Sequence, residues 1–172
     1  MAAAAALLEI TVISAEDLRL NEKNPVKKNA YVTVKTTETN LKTTSMDGKR
    51  GGYPVWNEKL LIDMASHVKY VTLEVQCKNS MGNRKKIGSA LVPVSDFMGG
   101  FWPENYLHFL SYRLRDDDGE RNGIINISVR VKQATGMVAP HRRQQSWAAV
   151  GVPAVAKGNW ETLTGVPVWY GQ

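Results

Sequence analysis

The sequence predicts an all-β protein: an eight-stranded antiparallel β-sandwich followed by a compositionally distinct tail. Three observations carry that prediction. Apolar residues recur at every second position in one segment after another, which is the period of a strand with one face in a core. Glycine, proline, asparagine and aspartate punctuate these segments. No stretch carries the 3.6-residue period of an amphipathic helix beyond a short turn at 95–100, where Ser95 is the expected cap.

The first strand alternates Leu8, Ile10 and Val12 with Glu9 and Thr11; the second alternates Ala30, Val32 and Val34 with Tyr31, Thr33 and Lys35. A short polar strand follows at 41–45. The fourth opens on a turn, because Pro54 fixes φ just after the permissive Gly51-Gly52 pair. Trp56, Glu58, Leu60 and Ile62 then face one way and Asn57, Lys59, Leu61 and Asp63 the other, with Trp56 at the rim of the core. Val71, Leu73, Val75 and Cys77 mark the fifth strand. Segments 86–94, 106–115 and 123–132 complete the set, the last with Ile125, Ile127, Val129 and Val131 on one face. In such a meander the loops after strands one, three and five share one end, and the eighth strand finishes at the other.

A chain of 172 residues supports one domain, expected at 1–132, with an appendage at 133–172. Its 43% hydrophobic and 22% charged residues are those of a soluble globular protein. Cys77 is the only cysteine, so no intramolecular disulfide forms, which fits a reducing compartment. Residues 1–8 lack a basic n-region and run into the first strand, so no signal peptide is expected. No apolar run reaches the ~20 residues of a membrane-spanning helix, and neither terminus carries a lipidation motif. Membrane contact is therefore expected to be peripheral, at the cytoplasmic face of the plasma membrane. A formal charge of +6 favours an anionic partner, lipid or nucleic acid.

Composition changes after Lys132. Residues 133–172 hold one acidic and three basic residues, five glycines and the tryptophans Trp147, Trp160 and Trp169. Gly151-Val152-Pro153 returns as Gly165-Val166-Pro167. Two readings stand side by side: a flexible tail whose aromatics dock on their own sandwich, or a linear motif in which Trp147, Trp160, Val166, Pro167 and Trp169 engage a protein partner.

Several of these segments together resemble C2 domains: Ser14-Ala15-Glu16-Asp17-Leu18, Asn29-Ala30-Tyr31-Val32, Tyr53-Pro54-Val55-Trp56-Asn57-Glu58 and Ile87-Gly88-Ser89-Ala90. The closing run 111–128, with Gly119 and Asn122-Gly123, is similar to that of plant small C2 proteins, a group including cold-regulated C2 proteins and BON-association proteins. Thr164-Gly165-Val166-Pro167-Val168-Trp169 matches the tail motif of that group. The resemblance implies a C2-type sandwich, a copine-type partner and a role in restraining plant defence responses and cell death.

It also implies where calcium would bind, and there the sequence departs from the pattern. The aspartate positions of the calcium loops fall on Asn29, Cys77, Asn79 and Lys85. Hard Ca²⁺ takes six to eight oxygens, and its affinity follows the carboxylate count. An amide, a thiol and an ammonium do not supply that charge, so no cofactor is expected and calcium dependence is doubtful. The Asp116–Glu120 cluster fails the EF-hand frame, with Leu114 at the first ligand position and Ile125 at the twelfth, and reads as a solvated hairpin turn.

Basic residues stand in those loops instead. Segments 16–28, 46–54 and 78–86 together hold ten basic and four acidic residues, an excess of +6 at one pole. Lys23, Lys27, Lys28, Lys49, Arg50, Lys78, Arg84, Lys85 and Lys86 are the expected lipid contacts, with Met81 dipping into the headgroup region. Each Lys or Arg near an anionic leaflet contributes ~1 kcal/mol, which suffices for reversible docking. A solvated loop set that only keeps the domain soluble is the simpler alternative. Nucleic acid fits less well, because stacking platforms and recognition helices are missing from these loops.

Nothing in the sequence marks an enzyme. Cys77 has no histidine close by, His67, His108 and His141 lack ligand spacing, and no phosphate loop or nucleophile-elbow motif occurs. The expected function is a peripheral membrane adaptor. A protein-interaction module without lipid contact and a calcium-dependent lipid sensor are the alternatives.

Overall fold

Alternation of β-branched and aliphatic residues with polar ones produces eight strands in the computed structural model, which describes residues 4–132. They are β1 (Ala4–Glu16), β2 (Ala30–Lys35), β3 (Leu41–Thr43), β4 (Val55–Ala65), β5 (Tyr70–Lys78), β6 (Arg84–Pro93), β7 (Leu107–Arg115) and β8 (Arg121–Lys132). All pair antiparallel in the order β3-β2-β5-β6-β7-β8-β1-β4. Between β6 and β7 the ladder thins to one pair, Ser89 with Arg115. The ribbon turns over at that seam into a sandwich.

The inner faces are those the period-2 pattern predicts. Leu8, Ile10 and Val12 of β1, Val32 and Val34 of β2, Leu73 and Val75 of β5 and Ile125, Ile127 and Val129 of β8 are essentially inaccessible and belong to one cluster. Each such side chain stabilises the fold by about 1.5–3 kcal/mol relative to exposure, so the two layers hold each other. Trp56 lies half-buried at the rim as expected, its indole N–H donating to the Ala30 carbonyl at 3.0 Å. Cys77, the last inward residue of β5, is buried and free.

Two local expectations change. The turn after β6 is a 3-10 turn at Val94–Asp96, with Ser95 inside it and Pro93 at the cap position. Pro93, extended at φ −62°, ends the strand and starts the turn directly, so Ser95 makes no cap bond. β6 also begins at Arg84 rather than Lys86, which makes Arg84, Lys85 and Lys86 strand residues paired with Lys78, Cys77 and Gln76.

Register fixes the two ends. Leu7 pairs with Lys132 and Ala4 with Ala65, so β1 starts where β4 and β8 finish. At the opposite end Ser14 pairs with Val55 and Glu16 with Ile124. Loops 17–29, 44–54 and 79–83 therefore share one pole, joined there by the 116–120 turn. Far from it His108 is a buried strand residue, in edge contact with the rings of Trp102 and Tyr106.

Candidate functional site at the loop pole

Backbone contacts and a few polar side chains build this pole. Leu18 N–H donates to the Gly52 carbonyl at 2.9 Å, Asn29 N–H to Asp47 at 2.7 Å, and Lys78 N–H to Asn29 at 3.1 Å, so the three loops are laced together. Gly123 lies at φ +74°, and a Cβ there would meet the Glu16 carbonyl oxygen at 2.4 Å. Only glycine lets β8 pass so close beneath loop 17–29. Asn122 acts as a clamp: its Oδ1 accepts from Arg19 N–H at 2.9 Å, and its Nδ2 donates to the carbonyls of Arg19 and Ile87, both at 2.8 Å. One amide thereby continues the ladder between loop 17–29 and β6.

Asp47 organises loop 44–54. Its carboxylate accepts backbone N–H bonds from Lys49 at 2.8 Å, Arg50 at 3.1 Å and Val55 at 2.9 Å. Burial pushes its pKa up, but those three donors and the nearby Arg50 guanidinium outweigh it and hold the group below the ordinary aspartate value. An aspartate opening Asp-Gly-Lys-Arg-Gly-Gly signals such a turn, although its charge alone does not reveal it.

Cys77, Asn79 and Lys85 line one cleft of about 490 Å³, and Asn29 is outside that lining. Asn29, at φ +59°, donates through Nδ2 to the Lys78 carbonyl at 3.3 Å. Asn79 Oδ1 accepts from Met81 and Asn83 N–H, closing loop 79–83. Burial raises the Cys77 thiol pKa, with Lys85 opposing it. Lys85 Nζ donates to the Leu20 carbonyl at 2.7 Å and ties loop 17–29 to β6. Leu20, Asn21, Asn24, Asn83, Lys27 and Arg84 complete the lining among the described residues, none of it a carboxylate. Among the described residues, no group of three or more His, Cys, Asp and Glu is placed to hold a metal ion.

The structure brings Lys23, Lys27, Lys28, Lys49, Arg50, Arg84, Lys85 and Lys86 to this pole as exposed side chains, with Lys78 half-buried and Met81 82% exposed at the tip. It also adds what the loop sum left out. The Asp116–Glu120 turn stands at the same pole, its backbone closed through Asp116, and Lys86 pairs with Asp117 at 2.6 Å. Counting that turn lowers the excess of the three loops from +6 to +2. Segment 116–120 is the exposed hairpin turn that the sequence predicts, and it adds its charge to the pole because β7 ends beside β6. Trp147, Trp160, Val166, Pro167 and Trp169 lie outside the described residues.

Comparison with known proteins agrees with this geometry. The C2 domain family matches residues 6–108. BON1-associated protein 2 of Arabidopsis thaliana is 36% identical over 193 residues, covering 94% of this chain and 92% of that protein. The chain belongs to the C2 domain family. That plant relative is itself a small C2 protein. Among solved structures, the C2A domain of plant Extended Synaptotagmin 1 superposes with a TM-score of 0.62 at 16% identity, covering 76% of this chain and 96% of that one. Human GIVD cytosolic phospholipase A2 gives 0.60 at 18% identity, covering 78% of this chain but 17% of the enzyme. These two likenesses show the C2 fold. The family match ends at residue 108, whereas the C2 sandwich needs β7 and β8, which carry the Asn122 clamp. No helix among the described residues is long and apolar enough to cross a membrane.

Proposed function

We propose that this C2 protein is a non-enzymatic peripheral membrane adaptor that docks on anionic phospholipid through its loop pole without a calcium ion. The cleft between loops 17–29 and 79–83 carries the reading: among the described residues its charged lining is Lys27, Arg84 and Lys85, with no carboxylate. A calcium site needs acidic oxygens, and this lining offers N–H donors for phosphate. Lys23, Lys28 and Lys49 add charge and have no ion pair among the described residues. At ~1 kcal/mol for each basic group near the surface, four to six supply reversible docking. The location that follows is the cytoplasmic face of the plasma membrane.

The partner side of the adaptor rests on likeness. The relative is named for association with BON1, and the tail motif 164–169 is similar to that of the group. A copine-type partner and a role in restraining defence and cell death follow from that likeness. The residues offered for it are Trp147, Trp160, Val166, Pro167 and Trp169.

Co-sedimentation with phosphatidylserine vesicles, in calcium and in chelator at low and high salt, tests the lipid reading. Binding should ignore chelator, fade with salt, and fall about thirty- to hundredfold in R84Q/K85Q/K86Q. Binding that requires calcium would overturn it. A second reading, a protein-interaction module without lipid contact, is favoured by the Lys86–Asp117 pair, which already gives one cation an anionic partner. Failure to bind vesicles in every condition would select it.

A further inference from the structure

The outer face of the β7-β8-β1-β4 layer carries a second cationic cluster, well away from the loop pole. Glu9 alternates with the core residues Leu8 and Ile10 and so faces outward, yet its side chain is only 6% exposed. Three cations converge on it: Lys132 Nζ at 2.7 Å from Oε2, with Lys59 Nζ at 3.3 Å and Arg130 Nη1 at 3.6 Å from Oε1. Register explains the convergence. Glu9 is paired with Arg130 on one side and Leu61 on the other, which puts Lys132 and Lys59 on its two diagonals. Arg130 lies nine residues along β8 from Arg121, about 30 Å from the loop pole at strand spacing.

Donors here outnumber acceptors. One carboxylate offers about four lone-pair sites to two ammonium groups and a guanidinium, which together carry about eleven N–H bonds. Arg130 meets its carboxylate only beyond hydrogen-bond distance, and its Nε is buried with no partner among the described residues. The quartet keeps a formal charge of +2, on side chains that are 35–58% exposed for the three cations. Held at fixed spacing on β4 and β8, either side of Glu9 on β1, the three cations form a preorganised surface for a compact anion of matching charge.

We propose that Lys59, Arg130 and Lys132 form a second anion site on this sheet face, and that its ligand is a phosphate monoester. A monoester carries about −1.5 to −2 near neutral pH and three acceptor oxygens, which matches both the charge and the number of cationic side chains. A phosphodiester, with one negative charge, leaves half the excess unmatched. The chemistry is shared by a phosphoinositide headgroup and by soluble phosphates. Leu61 and Phe109, 47% and 71% exposed on the same face, give it apolar ground suited to the lipid form. This site goes beyond the loop-pole reading and stands without it.

The test uses the full chain and the variant K59Q/K132Q, which leaves Arg130 beside Glu9 so that the carboxylate keeps a partner. Thermal melting checks that it folds. At matched surface charge, wild type should prefer phosphatidylinositol-bisphosphate vesicles to phosphatidylserine vesicles, and K59Q/K132Q should bind the former roughly ten- to thirtyfold more weakly while binding phosphatidylserine as before. R84Q/K85Q/K86Q should keep the preference whatever becomes of its phosphatidylserine binding, which separates this site from the loop pole. A second arm titrates inositol trisphosphate and inorganic phosphate, read by amide chemical shifts at residues 59, 130 and 132. Saturable shifts there without a vesicle preference would keep the site and assign it to soluble phosphate. Absence of both the preference and the shifts overturns the proposal.

Discussion

The loop pole and the outer face around Glu9 use the same residue types to opposite ends. At the pole the cations are mostly exposed and spread over three segments, and among the described residues few have an anionic partner: Arg19 with Asp17, Arg50 with Asp47, and Lys86 with Asp117. On the sheet face three cations crowd one shielded carboxylate from strands whose spacing is fixed by the ladder. Loop cations adapt to any anionic surface, and salt screens them readily. Strand cations cannot spread, so they impose a geometry on whatever they bind. A sum of charges sees both regions as basic. What separates them is how each charge is held.

Breaking the pole alone should give the largest effect. In Gly123→Val a Cβ would meet the Glu16 carbonyl at 2.4 Å and the residue would be forced to a positive φ. A loss of about 3 kcal/mol or more is expected by denaturant melting. Amide shifts should change through 17–29 and remain near wild type at Glu9 and Arg130.

Breaking the face should give a smaller and pH-dependent effect. The Lys132 hydrogen bond, with Lys59 behind it, holds the Glu9 pKa below its ordinary value of 4.5 despite burial. A depressed folded pKa means that the stabilisation is complete above the unfolded value and is lost as pH falls through the folded one. Glu9→Gln should cost about 1–2 kcal/mol at pH 7, and the gap to wild type should close as the pH drops below about 4. A gap that failed to narrow anywhere below pH 4.5 while wild type stays folded would mean that packing rather than charge holds the quartet.

The smallest effect sharpens the pole. In D117N/D118N the Lys86 ion pair is lost and the acidic hairpin loses two charges, while Asp116 keeps the turn closed. Affinity for phosphatidylserine vesicles should rise about three- to tenfold, most clearly at low salt. An unchanged affinity would show that the hairpin faces away from the docked membrane.

Strands were legible because the core writes its period into each segment, as with Ile125, Ile127 and Val129. The family resemblance was legible from short local motifs, and the comparisons bear it out. Contacts between strands distant in sequence were not. Glu9 alternates like a solvent residue, and its burial depends on β4 and β8 flanking β1, which no local pattern states. The place of Asp117 beside Lys86 needs the β6–β7 seam, a single residue pair. In the sequence Asn122 stands out only as part of the closing run 111–128. Its role depends on Arg19 and Ile87 being brought to it.

That clamp also gives the molecule a schedule. Arg19 and Asn122 are separated by 103 residues, so a growing chain has completed loop 17–29 long before the amide that fixes it exists. Closure over such a span belongs to the slow, non-local part of sandwich folding. A fragment ending at residue 108, where the family match stops, would carry most of the cationic loops with nothing to hold them in register. The loop pole thus takes up its arrangement only when the last strand is in place, and an incomplete chain presents its basic residues without that arrangement.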